Sequence, residues 1–105
     1  MLKGHLDAVV LAALEAGPAH GYAIIDEIRR RSVGVFDLPE GTVYPALHRL
    51  EEAGLLGSQW ETAPSGRRRR VYTLTKRGAQ ALAERRVLWT RFSDAIGSLL
   101  GGAPA

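Results

Sequence analysis

Arg67, Arg68, Arg69 and Arg70 stand side by side, four guanidinium groups in a row whose planar donors match phosphate oxygens in pairs. They follow Ala63-Pro64-Ser65-Gly66, a turn by composition, so the cations are expected at the tip of a hairpin. Such a run can meet several phosphates of a polyanion or reach into a narrow, strongly negative groove. A solvated loop is the competing reading. Upstream lies a second set, Thr42, Tyr44, Pro45, His48 and Arg49. Hydroxyls near a helix N-terminus suit phosphate, the His48 and Arg49 donors can reach base edges, and the Pro45 ring suits a thymine methyl. Tyr44 serves equally for packing. Tyr22 can donate its hydroxyl to phosphate with its ring turned inward, or pack only.

Catalytic chemistry finds little to work with. There is no glycine-rich phosphate loop, no nucleophile elbow and no recognisable carboxylate pair. His48 has only His5 and His20 for company, with no short spacing, so neither a metal nor another cofactor is expected. The chain has no cysteine, which removes disulfides and thiolate nucleophiles. An enzyme is the reading least supported.

These side chains need elements to hold them. Leu6, Val9, Val10, Ala13 and Leu14 form one stripe of a helical period, ended by Gly17-Pro18. Tyr22, Ile24, Ile25 and Ile28 form a second helix, with Arg29, Arg30 and Arg31 in its last turn, either capping it or adding to a basic face. Ser32 to Leu38 reads as a connection. A third helix starts near Glu40 or Gly41, because Pro45 is tolerated in the first turn, and it ends at Gly54. Its core side carries Val43, Leu47 and Leu50, and its outer side Gly41, Pro45, His48, Arg49 and Glu52, flanked by Thr42 and Tyr44. Leu55 to Thr62 and Arg67 to Leu74 read as two strands. Tyr72 and Leu74 face the helices, Val71 and Thr73 the other way. Thr75 caps a last helix from Lys76 to about Leu100, and Gly101 to Ala105 is expected to fray.

That last helix would run about 37 Å, longer than three short helices can cover. Leu82, Trp89 and Ile96 are spaced by seven, with Phe92, Leu99 and Leu100 beside them, which points to a self-pairing apolar seam. Plain packing explains Trp89; a slot for a planar aromatic effector between two-fold mates is the sharper reading.

The 105 residues suffice for one core; 46% are apolar and 24% charged, an ordinary balance for a globular chain. No run suits a membrane span or signal peptide, so a cytoplasmic location is expected. Residues 1 to 66 hold five Lys/Arg against nine Asp/Glu, and residues 67 to 105 nine against two. Such asymmetry points to a polyanion-facing surface in the second half, with a solvated basic face as the commoner alternative.

Three helices, a hairpin and a long helix make a mainly α winged helix-turn-helix with a small β-hairpin, in which the third helix, Thr42 to Ala53, enters a major groove and the hairpin follows the flanking backbone. Residues 1–75 form the DNA-binding part and 76–105 the pairing helix and tail. Double-stranded DNA is the expected partner. A winged-helix module for an acidic protein partner and a small-molecule sensor or sequestering protein are the rivals.

The chain also resembles the PadR transcriptional regulators. The residues concerned are His20-Gly21-Tyr22-Ala23-Ile24, Gly41-Thr42-Val43-Tyr44-Pro45-Ala46-Leu47, Arg49-Leu50-Glu51 with Gly54-Leu55, and Tyr72-Thr73-Leu74-Thr75 with Gly78. The resemblance implies a homodimeric repressor on an inverted-repeat operator, its reading helices in successive major grooves. It implies dimerisation through the last helix with help from the first, so Leu6, Val10, Leu82, Trp89, Phe92, Ile96 and Leu99 are the expected interface. His48 stands where lysine is common and Thr73 where arginine is frequent. With no larger C-terminal domain following, the chain is expected among the small members. Effectors range across the family from phenolic acids to hydrophobic drugs.

Overall fold

The computed structural model describes residues 5–101. The chain order is α1 (Leu6–Ala13), β1 (Ala19–His20), α2 (Gly21–Arg31), α3 (Glu40–Glu52), β2 (Leu56–Thr62), β3 (Arg68–Leu74) and α4 (Lys76–Leu99). This is the expected winged helix-turn-helix with a long C-terminal helix. The expected frayed tail lies outside the described residues except for Gly101.

The first three helices turn their apolar stripes inward. Val10, Leu11 and Leu14, Ile24 and Ile28, and Val43, Leu47 and Leu50 meet Leu56 and Tyr72 of the sheet and Leu82 of α4 in one core. Leu11, absent from the expected stripe of α1, is buried there. The α1 helix stops at Ala13, several residues before Gly17-Pro18.

The sheet has three strands in the order β1-β3-β2. Its third member is β1, two residues long, with Ala19 opposite Tyr72 and His20 opposite Val71. Two residues show no alternation, so periodicity could not reveal it. The β2 and β3 strands pair antiparallel from Leu56 opposite Leu74 to Thr62 opposite Arg68. Val71, expected on an open face, is buried along with Tyr72.

Capping shows why these segments are helical. The α2 helix begins on His20, whose Nδ1 accepts from the Ala23 amide at 3.4 Å. Its imidazole must be neutral to do so. Burial lowers its pKa first, the Arg69 charge lowers it further, and Glu61 opposes both. The α3 helix ends in a Schellman motif: Gly54, at φ +80°, donates to the Glu51 carbonyl and Leu55 to that of Leu50. Pro45 lies inside α3, in its second turn rather than its first. Its ring removes a bond that the Gly41 carbonyl would have accepted, and burial of Val43, Ala46 and Leu47 on the opposite side holds the helix together regardless.

The same motif closes α2, with Gly34 donating to Arg29 and Val33 to Arg30. Here the left-handed residue is Val33, at φ +52°, a conformation that a branched side chain opposes. Val33 is 89% exposed and gains no packing in return. Val33→Gly is expected to raise stability by about 0.5 to 1 kcal/mol, the strain relieved exceeding the entropy that glycine adds to the unfolded chain. An unchanged or lower urea midpoint would count against it.

The start of α4 is tied to the end of α3. Thr75 caps α4 as expected, its Oγ1 accepting from the Gly78 amide at 3.0 Å and donating to the Gly54 carbonyl at 2.8 Å. Gly78 lies directly on the Leu55 carbonyl; a Cβ there would be 2.0 Å from that oxygen. Leu82 then enters the core, and Arg86 holds Glu15 through two bonds of 2.7 Å. Beyond this point α4 projects from the body, its apolar residues open to solvent, and the molecule extends over 54 × 28 × 22 Å.

Candidate nucleic-acid interface

A groove of about 490 Å³ runs between α3 and the β2–β3 wing, with the start of α2 at one end. Tyr22, Tyr44, His48, Trp60 and Arg67 to Arg70 line it. Its shape follows from a missing side chain. A methyl group on Gly21 would lie 2.2 Å from the Tyr44 hydroxyl oxygen, so glycine there lets the Tyr44 ring lie across the first turn of α2. Tyr22 is 60% exposed, which rules out the inward-packed reading. Its ring stands edge-on to Tyr44 at 6.3 Å and its hydroxyl donates to Glu40 Oε1 at 3.0 Å.

Both groove tyrosines keep their protons well above neutral pH. Burial raises the Tyr44 pKa, and the bond to Glu40 raises that of Tyr22. The Tyr44 hydroxyl can thus donate to a phosphate oxygen, and that of Tyr22 can do so once it leaves Glu40. On the outer face of α3, Pro45 and His48 are exposed and Thr42 is half-buried. Arg49 departs from expectation. Its guanidinium bonds the Asp7 carboxylate of α1, which turns it from the groove toward the first helix. The sequence separation of 42 residues hid this pairing from local pattern reading.

The arginine run does not act as one cluster. Alternation along β3 sends neighbours to opposite faces. Among the described residues, Arg67 and Arg68 have no carboxylate partner, and the Arg68 guanidinium lies 5.0 Å from the centre of the Trp60 ring. Arg69 pairs across the hairpin with Glu61 at 3.2 Å, leaving its Nε buried without a partner. Arg70 reaches back to Ser58 and Glu51 and sits 5.6 Å from the Trp60 ring. Trp60, Glu40, Glu51 and Ser58 all shape this interface and were not anticipated. Their clue was the strand register: Trp60 lies opposite Arg70, and an exposed tryptophan amid arginines suits stacking with cations.

The expected seam divides as well. Val10 and Leu82 are 0% and 3% exposed in the chain's own core, so they have next to no surface to give a partner. Leu6 is half-buried against the same core. Trp89, Phe92, Ile96 and Leu99 are exposed, joined by Val87, Leu88 and Leu100. The Trp89 ring contacts His5 edge-on at 5.2 Å and lies 5.8 Å from Phe92. Among the described residues no three of His, Cys, Asp and Glu gather as a metal site requires. No described helix is long and apolar enough to cross a membrane.

Known proteins resemble this chain in sequence and in fold. A transcriptional regulator of Mycobacterium tuberculosis, Rv3488, is 43% identical over 67 residues, 64% of this chain and 59% of that one. A PadR family transcriptional regulator from Eggerthella lenta superposes with a TM-score of 0.80 at 34% identity, covering 93% of this chain and 83% of the other. Bacillus subtilis PadR, solved in complex with operator DNA, shares the fold with a TM-score of 0.71 at 23% identity, over 78% of this chain and 46% of that one. Residues 10–84 match the PadR-like family of transcriptional regulators, a family of gene regulators and not of enzymes. The chain belongs to the PadR-like family of transcriptional regulators.

Proposed function

We propose that this chain is a repressor that binds an inverted-repeat operator as a homodimer, each α3 entering a major groove and each wing following the adjoining backbone. The observation that carries this reading is the groove itself: two free arginines and two protonated tyrosine hydroxyls converge beside the exposed face of α3. Operator DNA bound to Bacillus subtilis PadR, which has the same fold, supports it. Thr42, Tyr44 and Tyr22 fix the register through phosphates, while Pro45 and His48 read base edges. Arg49 acts at one remove, bracing α3 against α1 through Asp7. The pairing surface is the projecting half of α4, where Trp89, Phe92, Ile96 and Leu99 lie open. Trp89, flanked by His5 and Phe92, is also the place for a planar aromatic effector to seat and shift the two heads.

The test is selection of duplexes from the DNA around its own gene, followed by footprinting. A protected inverted repeat is the expected result, and His48→Ala should relax base preference at one position per half-site by about 1 to 3 kcal/mol. Equal retention of all duplexes would sink the proposal in favour of a module for another acidic partner.

A further inference from the structure

Arg70 makes more side-chain hydrogen bonds than any other of the four arginines. Its Nε donates to Ser58 Oγ at 2.8 Å, its terminal nitrogen approaches Glu51 Oε2 at 3.3 Å, and the Ser58 hydroxyl in turn donates to that same carboxylate oxygen. The three groups close a ring that joins the last turn of α3 to both strands of the wing. Glu51 is held ionised by it: its pKa is lowered chiefly by the Ser58 hydrogen bond, with Arg70 adding to the effect against some burial. Charge is thereby cancelled at the base of the wing, while Arg67 and Arg68 remain uncompensated.

Trp60 links this ring to the free cations. Both Arg70 and Arg68 lie against its indole. Fixing Arg70 fixes one side of the ring and so sets where Arg68 can lie. We propose that Arg70 is a positioning residue of the DNA interface: with Glu51 and Ser58 it latches the wing to the reading helix and aims Arg68, while Arg67 and Arg68 carry the phosphate contacts. The inference rests on the groove being a DNA interface.

Salt dependence separates contact from positioning, because only a cation that displaces counterions contributes to the slope of log affinity against log salt, by about 0.9 per phosphate neutralised. The joint variant Arg67→Ala, Arg68→Ala removes four cations from the dimer and should flatten the slope by about 3.6 and weaken operator and random duplex alike. Arg70→Ala should keep the wild-type slope yet lose about tenfold in operator affinity, with random duplex much less affected. Ser58→Ala breaks the ring without altering any charge and should reproduce the Arg70→Ala result; the two together should do no more than either alone. Circular dichroism of each variant establishes that the fold persists.

A slope loss in Arg70→Ala equal to that of Arg68→Ala alone would overturn the proposal, as would an unchanged operator affinity in Ser58→Ala. Failure of the groove reading looks different: the wild-type chain itself would show no salt-dependent duplex binding.

Discussion

A chain carrying Trp89→Glu and Phe92→Glu is expected to run as a folded monomer and to bind operator about 10³-fold more weakly than the wild type, near its affinity for unrelated duplex. Trp89 is 51% and Phe92 55% exposed, so the monomer loses little packing. Covering half of an aromatic side chain removes roughly 100 Å² from water, which stabilises an interface by about 2.5 kcal/mol. Four such rings in a two-fold pair supply roughly 10 kcal/mol, the same order as the freedom lost on association. Their removal therefore decides whether two chains pair. Sedimentation and gel shift on one sample check both halves of the result, and a persistent dimer would move the interface elsewhere.

The second large effect is on folding. Gly78→Val should cost about 3 kcal/mol, a fall in Tm on the order of 15 °C for a domain of this size. The atom that an added Cβ meets is the Leu55 carbonyl oxygen, part of the backbone, which cannot rotate aside as a side chain would. Gly97 gives the control on the same helix. A Cβ there meets nothing within 4 Å, so Gly97→Ala should stabilise by about 0.5 kcal/mol. Thermal unfolding of the two variants should move in opposite directions; a neutral Gly78→Val would mean that α4 is free to shift off α3.

Much of the fold was legible because its signals are local. Helical periodicity located all four helices, Pro64 and Gly66 located the wing turn, and Thr75 announced its own cap. What escaped detection depends on contacts between distant residues. The β1 strand exists because β3 has a free edge beside Ala19 and His20, not because its two residues favour extension. Pro45 was expected in a first turn by intrinsic preference, but burial on the inner side of α3 overrides that preference one turn further in.

The site was legible in residue types more than in partners. The sequence marks Arg67 to Arg70 as cations, but strand alternation and the carboxylates of Glu61 and Glu51 determine which of them stay free. Arg49 has the right chemistry for reading bases and is occupied by Asp7 from another helix. Val10 and Leu82 lie on apolar stripes, and a stripe does not say whether its own chain or a partner will cover it. Only the packed core separates them from Trp89 and Phe92.

The contact of Gly78 with Leu55 has a mechanical meaning. Backbone rests on backbone there, with no side chain to cushion it, so the joint behaves as a stiff pivot at the root of a lever. A tilt of about 5° at this pivot, carried along about 36 Å of helix, sweeps the far end through about 3 Å, close to the 3.4 Å rise of one base-pair step. In the proposed dimer the far ends are clamped together, so the same sweep is delivered to the reading heads. Operator spacing is then gauged as an angle: an added base pair also turns its half-site by about 35° around the duplex, far more than such a tilt can follow, so this joint holds the two heads to one spacing.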